Sequence, residues 1–154
     1  MSRAFTKEPE DQVTDFADRP ISPFRNFVTA EGLRAIETAL GRFEAAHKAA
    51  LDKGDKLAAA AALREVRYWR ARHASAEIVE RKPEGGEALF GTTVTLRRDD
   101  GREQTFRIVG EDEANPAQGT ISYVSPFARA VMGHGVRETV EIAGGTAVIL
   151  NIKY

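Results

Sequence analysis

The chain has 154 residues, a hydrophobic content of 42%, no cysteine, and 22 basic against 23 acidic residues, for a formal net charge of −1. That size fits one domain or two small ones, and the near balance of charge speaks against a wholesale nucleic-acid binder. The missing cysteines exclude disulfides, thiolate zinc sites and cysteine nucleophiles. They suit a reducing cytosol, and with no signal-like or membrane-length apolar run a soluble cytoplasmic protein is expected.

Residues 1–26 are polar, with prolines at Pro9, Pro20 and Pro23 and five acidic against four basic residues. Such a composition buries too little apolar surface to offset its ordering entropy, so a flexible arm is expected. Residues 27–82 read as two helices. Thr29 is an N-cap candidate, and Val28 before it is placed to pack on Leu33 as a hydrophobic staple. Leu33, Ile36, Leu40, Phe43, His47 and Ala50 alternate steps of three and four, the spacing of a coiled-coil seam, and Ala62, Val66, Trp69, His73 and Ala76 continue the pattern. Gly54 is the strong breaker between the runs. An antiparallel hairpin is predicted, with Phe43 near Val66, Leu40 near Trp69, and Ile36 near His73. His47 and His73 are read as seam residues among apolar neighbours.

Pro83, Gly85 and Gly86 end the helical pattern, and residues 83–91 are read as a linker. Beyond it the period changes to two. Val94 and Leu96, Phe106 and Ile108, Val140 and Ile142, then Val148, Leu150 and Ile152 alternate as half-buried strands do. "RRDDGRE" and "AGGT" carry hairpin-turn chemistry. In "SPFARAVMG", Ser125 caps a short helix, Pro126 occupies its first turn and Gly133 ends it. The predicted fold class is α+β: a helical coiled-coil hairpin, then an antiparallel sheet with one helix over residues 92–154.

Residues 27–82 carry 11 basic against 8 acidic side chains, and residues 83–154 carry 7 against 10. The hairpin's excess lies mainly at Arg64, Arg67, Arg70 and Arg72, either a solvated helix face or a surface for RNA or an acidic protein. No phosphate loop, HExxH, nucleophile elbow or zinc-ligand spacing is present, and no cofactor is expected. His134 reads as a loop residue. Glu111, Asp112 and Glu113 lack the ligand spacing of a calcium loop and read as a solvated connection. Asp52 and Asp55 flank the predicted hairpin turn. They are either two carboxylates able to hold a magnesium ion or ordinary surface acids neutralised locally by Lys53 and Lys56.

The run "FGTTVTLRRDDGREQTFRIVGEDEANPAQGTISYVSPFARAVMG", with the closing "GGTAVILNIKY", closely resembles the C-terminal domain of the GreA/GreB transcription elongation factors. The hairpin ending in "ARHASAEIVERKP" resembles that family's N-terminal coiled coil, so the likeness covers roughly residues 28–154. It implies an FKBP-like C-terminal domain and a monomeric accessory factor of bacterial RNA polymerase, not itself an enzyme. Val124, Ser125, Pro126, Phe127 and Arg129 match the loop that docks on the polymerase, and the hairpin is expected to enter the secondary channel. There, family tip acids help hold a magnesium ion during cleavage of backtracked RNA. Gly54 and Asp55 match the start of the family tip, but alanines from Ala58 onward stand where its glutamate would be. Thr29 to Lys53 spans only about 37 Å as helix, shorter than the family's arm. An elongation regulator with weak cleavage stimulation or none is therefore expected. The alternatives are an FKBP-like peptidyl-prolyl isomerase and an interaction module unrelated to transcription.

Overall fold

A computed structural model describes residues 16–80 and 85–154. The first elements are β1 (Phe27–Val28), α1 (Ala30–Asp52), α2 (Lys56–Ser75) and β2 (Glu77–Ile78). Thr29 caps α1 by accepting from the Gly32 N–H at 2.9 Å. Gly54 sits between the helices with φ +69°, a left-handed conformation that costs a side-chain-bearing residue and lets the chain reverse. Asp55 then caps α2, its carboxylate accepting from the Ala58 N–H at 3.0 Å.

Ile36 and Ala50 of α1 and Ala59, Ala62 and Val66 of α2 are buried. A Glu37–His73 contact at 3.4 Å and a Glu44–Arg70 ion pair at 3.0 Å cross the hairpin and mark its antiparallel register. His73 departs from its expected place in the seam: its side chain is 45% exposed, beside Glu37. The buried position near the end of α2 belongs to Arg72, because there the helix turns its inner face towards the C-terminal domain.

β1 and β2 pair in parallel and tie the entry of the hairpin to its exit, with Glu77 N–H donating to Asn26 O and Val79 N–H to Val28 O. The stretch 16–26, expected to be part of a flexible arm, runs along α2 and the base of the hairpin. Asn26 there is only 4% exposed. Residues 1–15 lie outside the described residues.

The second part of the chain contains β3 (Thr93–Arg98), β4 (Glu103–Val109), β5 (Thr120–Ser122), α3 (Pro126–Val131), β6 (Thr139–Ile142) and β7 (Gly145–Lys153). They form a curled sheet in the order β5-β4-β3-β7-β6. Its pairings are antiparallel except β4–β5, which is parallel, so the wholly antiparallel sheet expected above is corrected. A parallel neighbour needs a crossover. Residues 110–119, containing 3-10 turns at Glu111–Glu113 and Pro116–Gln118, supply it.

A second departure lies in β7. The pairing with β3 slips between Thr95 and Leu96, so Val94 faces Ile152 while Leu96 faces Ile149. Leu150 is the extra residue of this bulge, which shifts the alternation by one. Ala147 and Ile149 therefore reach the core where Val148 and Leu150 were expected. With them Ala88, Val94, Leu96, Ile108, Ile121 and Val140 pack beneath Ala128 and Val131 of α3. Ala88 and Phe90, placed by sequence in the linker, are buried against this domain. The whole is a mixed α+β structure, a helical hairpin followed by a curled sheet. Among the described residues no helix is long and apolar enough to cross a membrane.

Candidate functional site

Three places hold the candidate residues: the hairpin tip, the loop entering α3, and the junction at the hairpin base. At the tip, Asp52 pairs with Lys48 at 3.0 Å, one helical turn earlier. Asp55 spends its carboxylate on the α2 cap. The two acids thus have separate partners on opposite sides of Gly54. Among the described residues no group of three or more His, Cys, Asp or Glu side chains converges to hold a metal ion. Leu51 and Leu57, 59% and 60% exposed, instead make the turn partly apolar.

In the loop entering α3, Ser125 Oγ accepts from the Ala128 N–H at 3.2 Å and Pro126 takes the first turn. Pro126 and Arg129 are exposed, while Val124 and Ser125 are half-buried. Phe127 turns inward, its ring edge-on to Phe106 with centroids 5.1 Å apart. The Arg129 guanidinium lies 5.1 Å from the ring centre of Phe24. Tyr123, just before the loop, packs beside Phe27 and Phe90 and donates its hydroxyl to the Arg25 carbonyl at 2.5 Å. The stretch Phe24–Phe27 therefore borders the loop, which the sequence did not signal.

The four arginines do not form one solvated stripe. Arg67 pairs with Asp18 at 2.5 Å, Arg70 is exposed beside Glu44, and Arg64 keeps its Nε buried. Arg72 is 2% exposed and is corrected from a possible RNA or polymerase contact to a structural cation. Its Nε meets Asp112 at 2.5 Å, a second nitrogen donates to Asn26 Oδ1 at 2.7 Å, and Glu111 lies at 3.7 Å. Asn26 donates back to the Arg72 carbonyl at 2.7 Å. Tyr68 also donates to Asp112, and its hydroxyl is pushed up to about 12, first by burial and then by that bond to a carboxylate. The guanidinium of Arg19 covers the Tyr68 ring at 3.6 Å.

Glu113 completes the junction. Both its oxygens lie 2.7 Å from the Thr29 hydroxyl, which donates to the carboxylate while capping α1. A negative charge is favoured at that helix start. Arg107 of β4 reaches Glu31 in the first turn of α1 at 3.5 Å. Gly110 lets the backbones meet, since a β-carbon there would overlap the Phe27 carbonyl oxygen. The run Glu111–Asp112–Glu113, expected as a solvated loop, is thus a set of carboxylates folded onto the hairpin base. Its partners Arg72 and Thr29 lie 40 and 84 residues away in sequence, beyond the reach of local patterning. The one available signal was charge: an acidic run in one half and an arginine-rich run in the other.

Against this geometry stand the likenesses to known proteins. The family model described as "Transcription elongation factor, GreA/GreB, C-term" matches residues 82–154. The chain is 42% identical over 92 residues to transcription elongation factor GreB of Neisseria meningitidis serogroup B, covering 57% of this chain and 50% of that protein. It is 44% identical over 82 residues to GreA of Chloroflexus aggregans, covering 52% and 50%. The chain thus spans about half the length of the curated relatives it matches. The GreA factor homolog 1 (Gfh1) of Thermus thermophilus aligns over 85% of this chain and 100% of that one, at 19% identity and a TM-score of 0.39. On the sequence matches, residues 82–154 are similar to the C-terminal domain of the GreA/GreB factors.

Proposed function

We propose that this protein is a bacterial transcription elongation factor that binds RNA polymerase through an FKBP-like C-terminal domain and places its hairpin in the secondary channel. The observation that carries the reading is the family match over residues 82–154, joined here to a helical hairpin. Pro126 and Arg129 present the docking surface, and Ser125 holds it by capping α3. Val124 borders that surface, and Phe127 supports it from behind.

The protein regulates paused or backtracked complexes by occupying the channel. No step is routed through a tip-held metal, because Asp52 and Asp55 are engaged separately. Any RNA cleavage belongs to the polymerase active site, and the factor is an accessory protein. The isomerase alternative is disfavoured by the packing of its aromatic candidates: Phe106 and Phe127 pack on each other, and Tyr123 packs with Phe27 and Phe90, so Phe106, Tyr123 and Phe127 are engaged in ring contacts.

The test is binding to core RNA polymerase and transcript cleavage on backtracked complexes. Saturable binding that Ser125→Ala/Pro126→Ala weakens at least about tenfold, a loss on the scale of an interface hot spot, supports the reading. Cleavage no faster than polymerase alone is expected, and unchanged by Asp52→Ala/Asp55→Ala. Absence of binding refutes the reading, and robust cleavage lost in the double variant refutes the inert tip.

A further inference from the structure

Docking on one domain and acting through a tip on another works only if the angle between them is set. The junction concentrates the means to set it. Arg72, nearly inaccessible to solvent, is held by Asp112 and Asn26. Tyr68 shares Asp112, so two residues one turn apart on α2 are fixed to one carboxylate. Glu113 holds the first cap of α1 through Thr29, so the partner helix is fixed by the neighbouring carboxylate. Gly110 brings Phe27 into backbone contact between them, and the parallel pair β1–β2 clamps the two strands of chain that lead into and out of the hairpin.

We infer that Arg72, Asp112, Glu113 and Thr29 are positioning residues: they fix the bearing of the hairpin on the C-terminal domain, so that docking of that domain determines where the tip lies. The inference rests on the elongation-factor reading for its consequence and on the junction geometry for its substance. Two contacts on different helices resist rotation where one would act as a pivot. The demand is severe, because α1 has 23 residues and is about 35 Å long, so a swing of about 10° at its base displaces the tip by about 6 Å. That is roughly twice a hydrogen-bond length, enough to misplace every tip contact. The arrangement also gives the acidic triplet separate tasks, Asp112 and Glu111 facing α2 and Glu113 facing α1.

The absence of native cysteine makes the test direct. Spin labels at Lys53→Cys on the tip and Glu141→Cys on β6 report the tip-to-sheet distance in the full chain. One narrow distribution is expected with the native junction, and a distribution at least about twice as wide in Asp112→Asn/Glu113→Gln, given the lever length. Circular dichroism checks that both helices persist, and if the double variant unfolds, Glu113→Gln alone decides. A broad distribution in the native junction, or an unchanged narrow one in the variant, overturns the inference. On polymerase, the variant should keep its affinity within about twofold while its effect on elongation at saturation falls at least about threefold, a split that simple destabilisation would not produce. If the native protein fails to bind polymerase, the elongation reading falls, while the distance measurement still decides whether the junction sets the bearing.

Discussion

Arg70 and Arg72 stand two residues apart on the same helix, and their surroundings give them opposite energetic weight. Arg70 meets Glu44 at 3.0 Å with both side chains largely in water, at 65% and 47% exposure. Such a pair gains little, because solvent screens the attraction and two long side chains lose rotamer freedom. Arg72 has 2% exposure and two close acceptors, and removing its side chain leaves Asp112 with the Tyr68 hydroxyl but no cation, and Asn26 Oδ1 without its donor. Breaking a buried pair from one side typically costs about 3–5 kcal/mol. Arg72→Ala is therefore expected to lower stability by about 3 kcal/mol or more, and Arg70→Ala by no more than about 0.5 kcal/mol. Urea unfolding followed by helical circular dichroism measures both. Equal losses would return Arg72 to the surface class and remove the physical basis of the junction.

Among the helices, two glycines predict changes of opposite sign. Gly41 lies in the middle of α1, and a β-carbon there meets nothing within 4 Å. Gly41→Ala should stabilise the hairpin by about 0.5–1 kcal/mol, the helix-propensity difference. Gly54 also has open space, but its φ of +69° is left-handed, so Gly54→Ala should cost about 1–2 kcal/mol. Thermal melts of the two variants on either side of the parent check this, and a stabilising Gly54→Ala would mean the turn takes another backbone form. The same contrast explains which elements could be read from sequence. Gly54, Thr29, and the Ser125–Pro126 pair act on chain neighbours, so the hairpin reversal and the α3 cap were legible. The bulge at Leu150, the parallel placement of β5 and the burial of Arg72 depend on partners far along the chain. Periodicity counts residues within one strand and cannot register a slip relative to another. Of the candidate site, the loop at Val124–Arg129 was legible as a cap, but the inward turn of Phe127 towards Phe106 was not.

At the scale of the whole molecule, the stretch 16–26 joins the hairpin to the loop entering α3. Asp18 pairs with Arg67, Arg19 pairs with Glu65 at 2.7 Å while covering Tyr68, and Phe24 lies beneath Arg129. Polar composition hid this, because these contacts are ion pairs and rings stacked with cations, and the stretch contains no apolar run. Exposed ion pairs contribute about 0–1 kcal/mol each, and a cation over an aromatic face about 0.5–1 kcal/mol. A chain beginning at Arg25 keeps Asn26 and the β1–β2 pair, so the junction should survive and only the strap be lost. Opening of α2 should then become easier by about 1–2 kcal/mol, which is about a 5–30-fold change in the open population. Hydrogen exchange resolves the result by element. Amides of α2 from Glu65 to Trp69 should exchange faster by that factor, while those of β3 and β7 keep their rates. Unchanged exchange in α2 would show that the strap lies on the hairpin without stabilising it. Faster exchange in the sheet as well would show that residues before Arg25 also support the C-terminal domain, through Phe24 and Arg129.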